Sequence, residues 1–406
     1  MAAVAFELDG RPIGRVSQPP WTAEVDFGRD LVPHELAARA FDAEEREIAR
    51  ARQWLNLPRP PAEAKILLER DAGGRARGAH ISWQSLTGEA PAKIEVSFDG
   101  RALPLRADRR VEIPVYAPET SHILTVELEF GNGMASRDDL AIGGGTGAEA
   151  QTELTGVPVR LANKATLPPI DVLEELFRGP SGPLRVAAVE EGGAHIWIVR
   201  DDNASETQSS LNGGRVPRRM RGLVPDLLLE KGDAVRFIWP RARGFPGAAV
   251  PAALFPSSSE FSASRGKSLT FLLGAISNPE PSGLFPMYAD AVAVAGLNAY
   301  SSFGRRAVVL VLPGSSPDAS HYSPGIVRRY LESIRVPLFV WSLEPVPPSR
   351  SPWGLVEAVG TAGGLRAAGD RLRESLERQR IVWVEGRYLP QQVSLSEAAP
   401  GLALLR

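Results

Sequence analysis

The sequence predicts two β-rich modules in tandem followed by a layered α/β domain, and three observations carry that prediction. A strand-and-turn pattern occurs twice, as VAFELDGR at residues 4–11 and IEVSFDGR at residues 94–101. Further on, Pro33-His34-Glu35-Leu36 answers Ser121-His122-Ile123-Leu124 at nearly the same offset, which marks an internal repeat. From about Thr152 onward, apolar strands alternate with helical stretches, the texture of a largely parallel sheet. A chain of 406 residues has room for about two to four domains of roughly 100–200 residues.

Clusters of Pro, Gly and Ser cut the chain at residues 57–61, at 131–147 and less sharply at 179–183. In each repeat, apolar residues alternate with polar ones (Val4, Phe6, Leu8; Ile94, Val96, Phe98) and an Asp-Gly pair follows. That is the signature of a half-buried strand entering a hairpin. The second repeat adds strand-like runs at 64–69, 79–86, 111–115 and 122–130, and about seven short strands fit an immunoglobulin-like sandwich. The first repeat lacks the leading strands because Met1 stands almost directly before Val4. Such a module would expose core and open edges, so the polypeptide is expected to start inside a domain of something longer, which leaves room for a signal peptide upstream. The expected units are a partial immunoglobulin-like module at 1–59, a second at 60–147, the α/β domain at 152–390 and a tail at 391–406.

In the α/β part the expected strands are 195–199, 234–239, 307–312, 336–343 and 381–385. The expected helices are Ala-rich 287–300, then 324–334 opened by Ser323-Pro324, then 365–380 with Leu365, Leu372 and Leu376 on one face. A run such as AVVLVL at 307–312 needs cover on both sides, hence helices on both faces of the sheet.

Composition narrows the function classes. With 46 Lys+Arg against 48 Asp+Glu, no charge excess favours nucleic acid or acidic membranes. No apolar stretch approaches the roughly 20 residues of a membrane span. The absence of Cys removes disulfides, thiolate metal sites and cysteine nucleophiles.

Three stretches of the C-terminal part, HIWIVRDDNAS at 195–205, GLFPMYADAVAVA at 283–295 and RRAVVLVLPGSSPDASHYS at 305–323, resemble the von Willebrand factor type A domain. Residues 336–343 and VEAVGTAGG at 356–364 resemble its following strand and helix. The form it is similar to is the bacterial one joined to immunoglobulin-like modules. The resemblance implies a doubly wound, Rossmann-like domain, an exported or cell-surface location, and a divalent cation held at the strand ends by an Asp-x-Ser-x-Ser loop, a Thr and a distal Asp. Matched onto this chain, Asp201 stands for the first Asp, Asn203 for the first Ser and Ser205 for the second. The Thr position falls on Phe285 and the distal Asp on Pro313. Neither Phe nor Pro offers a side-chain oxygen, so a hard ion such as Mg²⁺ loses an anionic ligand and a hydroxyl. A degenerate, metal-free adhesion site is expected, with no cofactor. Asp318 in the adjacent loop reads as an ordinary loop residue, with substitution for the lost Asp as the alternative.

Other candidates are weaker. None of the five His forms a metal-ligating pair, and His34 and His122 share a structural role at matched positions. His321 lies in the strand-end loop near Asp318, but no Gly-x-Ser-x-Gly elbow supports a hydrolase. The Gly143–Gly147 run lacks the Lys of a phosphate loop and reads as a flexible linker. RVPRRMR at 215–221 reads as a solvated face, the tryptophans at 83, 197, 239 and 341 as packing residues, and Asp233 as a turn before a strand. The expected function is non-enzymatic protein recognition or adhesion, with Asp201, Phe285, Asp318 and His321 as candidate partner contacts. The rivals are Mg-dependent adhesion through Asp201, Asn203 and Ser205, a scattered active site around His321, and a purely structural segment of a surface or secretion assembly.

Overall fold

The structure is a computed structural model describing residues 2–57, 62–71, 75–85, 90–130, 135–143, 154–162, 167–190, 192–201, 230, 232–241, 255–262, 273, 285–301, 304–314, 317–347, 349, 351–396 and 401–405. The chain is mostly β-sheet with few helices, and the described strands form several sheets.

The first repeat contains β1 (Ala3–Leu8), β2 (Arg11–Val16), β3 (His34–Phe41) and β4 (Glu47–Leu55), paired antiparallel in the order β2-β1-β3-β4. The second contains β5 (Ala62–Arg70), β6 (Ala76–Ser85), β7 (Lys93–Phe98), β8 (Arg101–Leu103), β9 (Arg110–Glu112), β10 (Ser121–Glu129) and β11 (Ala135–Gly143). Its larger sheet runs β8-β7-β10-β11, the same order as the first repeat, and β5-β6-β9 faces it across a shared core that includes Ile81, Val96, Leu124 and Leu128. The repeat extends to side chains. Asp9-Gly10 and Asp99-Gly100 both turn with positive φ at the two positions, 51° and 75° in one, 50° and 75° in the other. This left-handed pair is what a two-residue hairpin requires. Each Asp then reaches the next strand: Asp9 Oδ2 lies 2.8 Å from His34 Nδ1, and Glu35 N–H donates to Asp9 Oδ1 at 2.9 Å. Asp99 Oδ2 lies 2.7 Å from His122 Nδ1, and Ile123 N–H donates to Asp99 Oδ1 at 2.9 Å. The matched histidines thus tie a turn to a neighbouring strand.

Residues 131–147, the Gly and Ser cluster expected to divide the chain, include a nine-residue strand. β11 pairs with β10 along its whole length. Gly residues on both sides of it hid the strand. Residues 144–147 of the Gly-rich run lie outside the described residues.

The C-terminal part begins with β12 (Leu154–Leu161), α1 (Ile170–Leu176), β13 (Phe177–Gly179), β14 (Gly182–Pro183) and β15 (Val186–Glu190). It continues with β16 (Ala194–Arg200), β17 (Ala234–Ile238), β18 (Phe261–Ser262), α2 (Tyr288–Ser301), β19 (Arg305–Leu312), α3 (Pro324–Ser333), β20 (Leu338–Ser342), β21 (Glu357–Ala358) and α4 (Ala362–Glu377). Last come β22 (Gln379–Glu385), β23 (Ser394–Leu395) and β24 (Leu402–Leu404). One sheet runs β18-β17-β16-β19-β20-β21, parallel throughout except for β18 at its edge. β19 is buried at every position, as its unbroken apolar run requires. α2 and α3 cover one face, with Val292, Ala295 and Leu331 against Val308 and Leu310. α4 covers the other, with Leu365, Leu372 and Leu376 against Val309 and Trp341. At Gly296 the two helices of the first face touch: a Cβ there would stand 2.7 Å from Leu331 Cδ1. Ser323 and Thr361 cap α3 and α4, their side chains accepting from Ile326 and Gly364 N–H.

Two expectations fail here. Residues 381–385 do not extend the parallel sheet: β22 pairs antiparallel with β12 and β15, in a separate sheet of order β15-β22-β12-β24. An apolar run fixes burial on both faces but not the direction of the neighbour. The expected tail at 391–406 is also structured, since β24 pairs with β12, β23 pairs with β13, and Leu402 and Leu405 are buried.

The units pack side by side. Tyr330 Oη donates to the Asn56 carbonyl at 3.0 Å, and the Arg387 guanidinium sits 4.4 Å from the centre of the Trp54 ring. Between the second repeat and the C-terminal part, Arg137 is bound to Asp139 at 2.8 Å and lies 4.7 Å from the Trp383 ring centre, while Ile123 packs with Ile381 and Trp383. No helix among the described residues is long and apolar enough to cross a membrane.

Candidate functional site

The parallel strands β16, β17 and β19 end side by side, and their carboxyl ends carry most of the residues that the sequence singled out. Asp201 follows β16 directly and is buried. Its carboxylate is held by Arg241, just beyond β17: Nε donates to Oδ1 at 2.9 Å and Nη2 to Oδ2 at 2.7 Å. The two side chains are 8% and 12% exposed, so this is a desolvated, two-point ion pair of the kind that guanidinium geometry favours. The hydroxyl of Tyr288, the buried first residue of α2, lies 3.5 Å from Asp201 Oδ2.

Backbone bonds hold the surrounding loops against this pair. Met287 N–H donates to the Pro240 carbonyl at 2.6 Å, and Ala319 N–H donates to the Pro286 carbonyl at 2.8 Å. Phe285 stands at the start of this loop and is 69% exposed, so it points away from the core rather than lying beneath the loops. Pro313 follows β19 at the same end, half-buried. Asn203 and Ser205 lie outside the described residues.

Asp318 has a different task from cation binding. Tyr288 N–H donates to its Oδ1 at 2.9 Å and Ala289 N–H to its Oδ2 at 3.2 Å, so it caps α2 from 30 residues away. Ser320 Oγ accepts from Asp290 N–H at 3.1 Å. Asp290 in return accepts from His321 N–H at 2.8 Å and Tyr322 N–H at 3.0 Å. The loop and the first turn of the helix therefore satisfy each other's backbone donors. His321 itself is exposed, with its ring edge-on to Tyr322 at 5.2 Å. Replacing Asp318 by Ala should cost about 1–2 kcal/mol in urea unfolding, and Asn should recover most of it. Equal losses for Ala and Asn would contradict the capping role.

Among the described residues, those at this end of the sheet do not fit a divalent cation. Both oxygens of Asp201 are committed to a guanidinium, Phe285 and Pro313 supply no donor, and Asp318 is spent on the helix. Among the described residues, no group of three His, Asp or Glu side chains is placed to hold a metal. Sequence reasoning missed Arg241, which sits 40 residues from its partner. The available signal was an Arg placed immediately after a buried strand end, at the same level as an acid on the neighbouring strand.

Asp233 is more than a turn residue. It is buried, and its Oδ1 accepts from Ala194 N–H at 2.8 Å and its Oδ2 from Glu230 N–H at 2.9 Å, with Arg305 3.5 Å away. This network closes the opposite end of the sheet, where β16 and β17 begin. Trp197, Trp239 and Trp341 are buried, and Trp83 is half-buried under Arg109, 4.0 Å from its ring centre.

Compared with models of known protein families, the chain matches none, and no curated protein matches it either.

Proposed function

We propose that the chain is a non-enzymatic protein-recognition or adhesion protein, in which immunoglobulin-like modules support a type A-like domain whose adhesion cation is replaced by the Arg241 guanidinium. Numbered within its own sheet, the strand order is 3-2-1-4-5-6 with strand 3 reversed. That order supports a doubly wound reading, and such sheets bind ligands at carboxyl ends where the order reverses. Here the reversal falls between β16 and β19, and Asp201 follows β16. The sandwich reading rests on β5-β6-β9 facing β8-β7-β10-β11.

The observation that carries the proposal is the two-point Asp201–Arg241 pair. A guanidinium neutralises the acid as an ion would, but it leaves no open coordination position for a partner's carboxylate. Recognition then falls to packing and hydrogen bonding around the exposed Phe285 ring, the kind of aromatic anchor that dominates interface energetics. A photo-crosslinking amino acid placed at Phe285 tests this in extracts of the source cell. The proposal expects one discrete adduct that forms equally in EDTA and in Mg²⁺, with none from the exposed control position Val115. An adduct that requires Mg²⁺ supports the metal-dependent alternative instead, and no adduct at all removes Phe285 as the anchor.

A further inference from the structure

Two arginines are buried in the C-terminal part with no ion-paired acid among the described residues. Arg306, the second residue of β19, is 3% exposed, and Arg335, just past α3, is 6% exposed. Arg306 Nη1 donates to the Tyr300 carbonyl at 2.9 Å, and Arg335 Nη2 donates to the carbonyls of Pro390 and Val393. Neither makes an ion pair among the described residues. The ionisable groups that face them are the Tyr300 phenol and each other. Burial pulls each guanidinium down to about 10, still protonated at neutral pH, so the region holds two positive charges that no acid among the described residues pairs with.

The hydrogen-bond inventory is lopsided in the same sense. Arg306 Nε, Arg335 Nη1 and Gln379 Nε2 are buried donors without an acceptor, while Gln379 Oε1 is occupied by the Arg306 N–H at 3.0 Å. Arg335 also holds a left-handed backbone, φ 57°, as the C′ residue of a helix end where Arg335 N–H bonds the Glu332 carbonyl and Val336 N–H the Leu331 carbonyl. Glycine takes that position at least cost, so the side chain is kept against backbone preference. Arg335 lines a cavity of about 10 Å³ together with Gly156, Pro158, Tyr300, Pro390 and Val393. It lies between the parallel-sheet unit and the antiparallel sheet.

We infer that this cavity binds one monatomic halide ion, chloride in the cell, held by Arg335 and by the field of Arg306. Charge selects an anion over water, because a neutral molecule satisfies a donor but offsets no charge. Volume selects the class, since room for about one water-sized species excludes phosphate, sulfate and carboxylates. The bound ion ties β12 and the 390–393 turn to the end of α3, so it acts on stability and lies away from the strand-end surface around Phe285.

Two measurements on the full chain test it. Crystals soaked in bromide are expected to give an anomalous peak in the cavity beside Arg335. In solution, replacing gluconate by chloride at fixed ionic strength is expected to shift the Tm upward in proportion to the logarithm of chloride once the site fills. Arg335→Met is expected to lose that dependence, while the exposed-site control Arg373→Met keeps it. A cavity containing only a water, with coincident melting in the two salts, overturns the inference. If Arg335→Met does not fold, the bromide map on the unaltered protein decides alone.

Discussion

Arg137→Met should destabilise the protein by about 3–5 kcal/mol, the cost of removing one partner from a buried ion pair. The Arg137 and Asp139 side chains are 6% and 7% exposed, and Arg137 Nε donates to both Asp139 oxygens at 2.8 Å. Truncation leaves a desolvated carboxylate without its counter-charge. It also strips the guanidinium from the Trp383 face and from Glu127 and Glu190, at 3.3 and 3.8 Å. Because Trp383 belongs to β22 and Arg137 to β11, the loss falls on the seam between the second repeat and the C-terminal part. Urea unfolding followed by tryptophan fluorescence and by circular dichroism should then show transitions that no longer coincide. Arg110→Met is the control. Its pair with Glu69 has side chains 55% and 44% exposed, and such pairs contribute about 0–1 kcal/mol. Equal losses for the two variants would contradict a buried seam.

Arg241→Ala should cost a similar amount, about 3–5 kcal/mol, because it takes the two-point guanidinium from an acid whose side chain is 8% exposed. The informative comparison is the double variant Asp201→Leu with Arg241→Met. Replacing both charges by apolar groups of similar volume is often close to neutral, so the double variant should be more stable than Arg241→Ala alone. Denaturant midpoints at neutral pH measure all three proteins. If the double variant is no more stable than Arg241→Ala, the pair is not coupled and the guanidinium is not standing in for a cation.

The parts of the fold legible in the sequence are those fixed by local chemistry. Asp9-Gly10 and Asp99-Gly100 specify their hairpins because positive φ is required there and few residues adopt it. Ser323-Pro324 marks the start of α3, and the Leu365, Leu372, Leu376 spacing marks the buried face of α4. What escaped was decided by contacts distant in sequence. β22 reads as a buried strand whichever sheet it joins, and its partners β12 and β15 lie far upstream. β11 was masked by the glycines at both ends. At the site, Asp201 and Phe285 were singled out by resemblance to a motif, and the lack of a side-chain oxygen at Phe285 and Pro313 is plain from the residues alone. The Asp201–Arg241 ion pair itself was not legible, because Arg241 meets Asp201 only through the parallel pairing of β16 with β17. The cap that Asp318 provides was not legible for the same reason: helix caps are read locally, and this one arrives from another loop.

Calorimetric titration of Mg²⁺ or Mn²⁺ into the full chain is the most direct test of the claim that a guanidinium occupies the cation's place. The account predicts no saturable heat in the millimolar range and an unchanged melting temperature. Saturable binding that disappears in Asp201→Ala would contradict it.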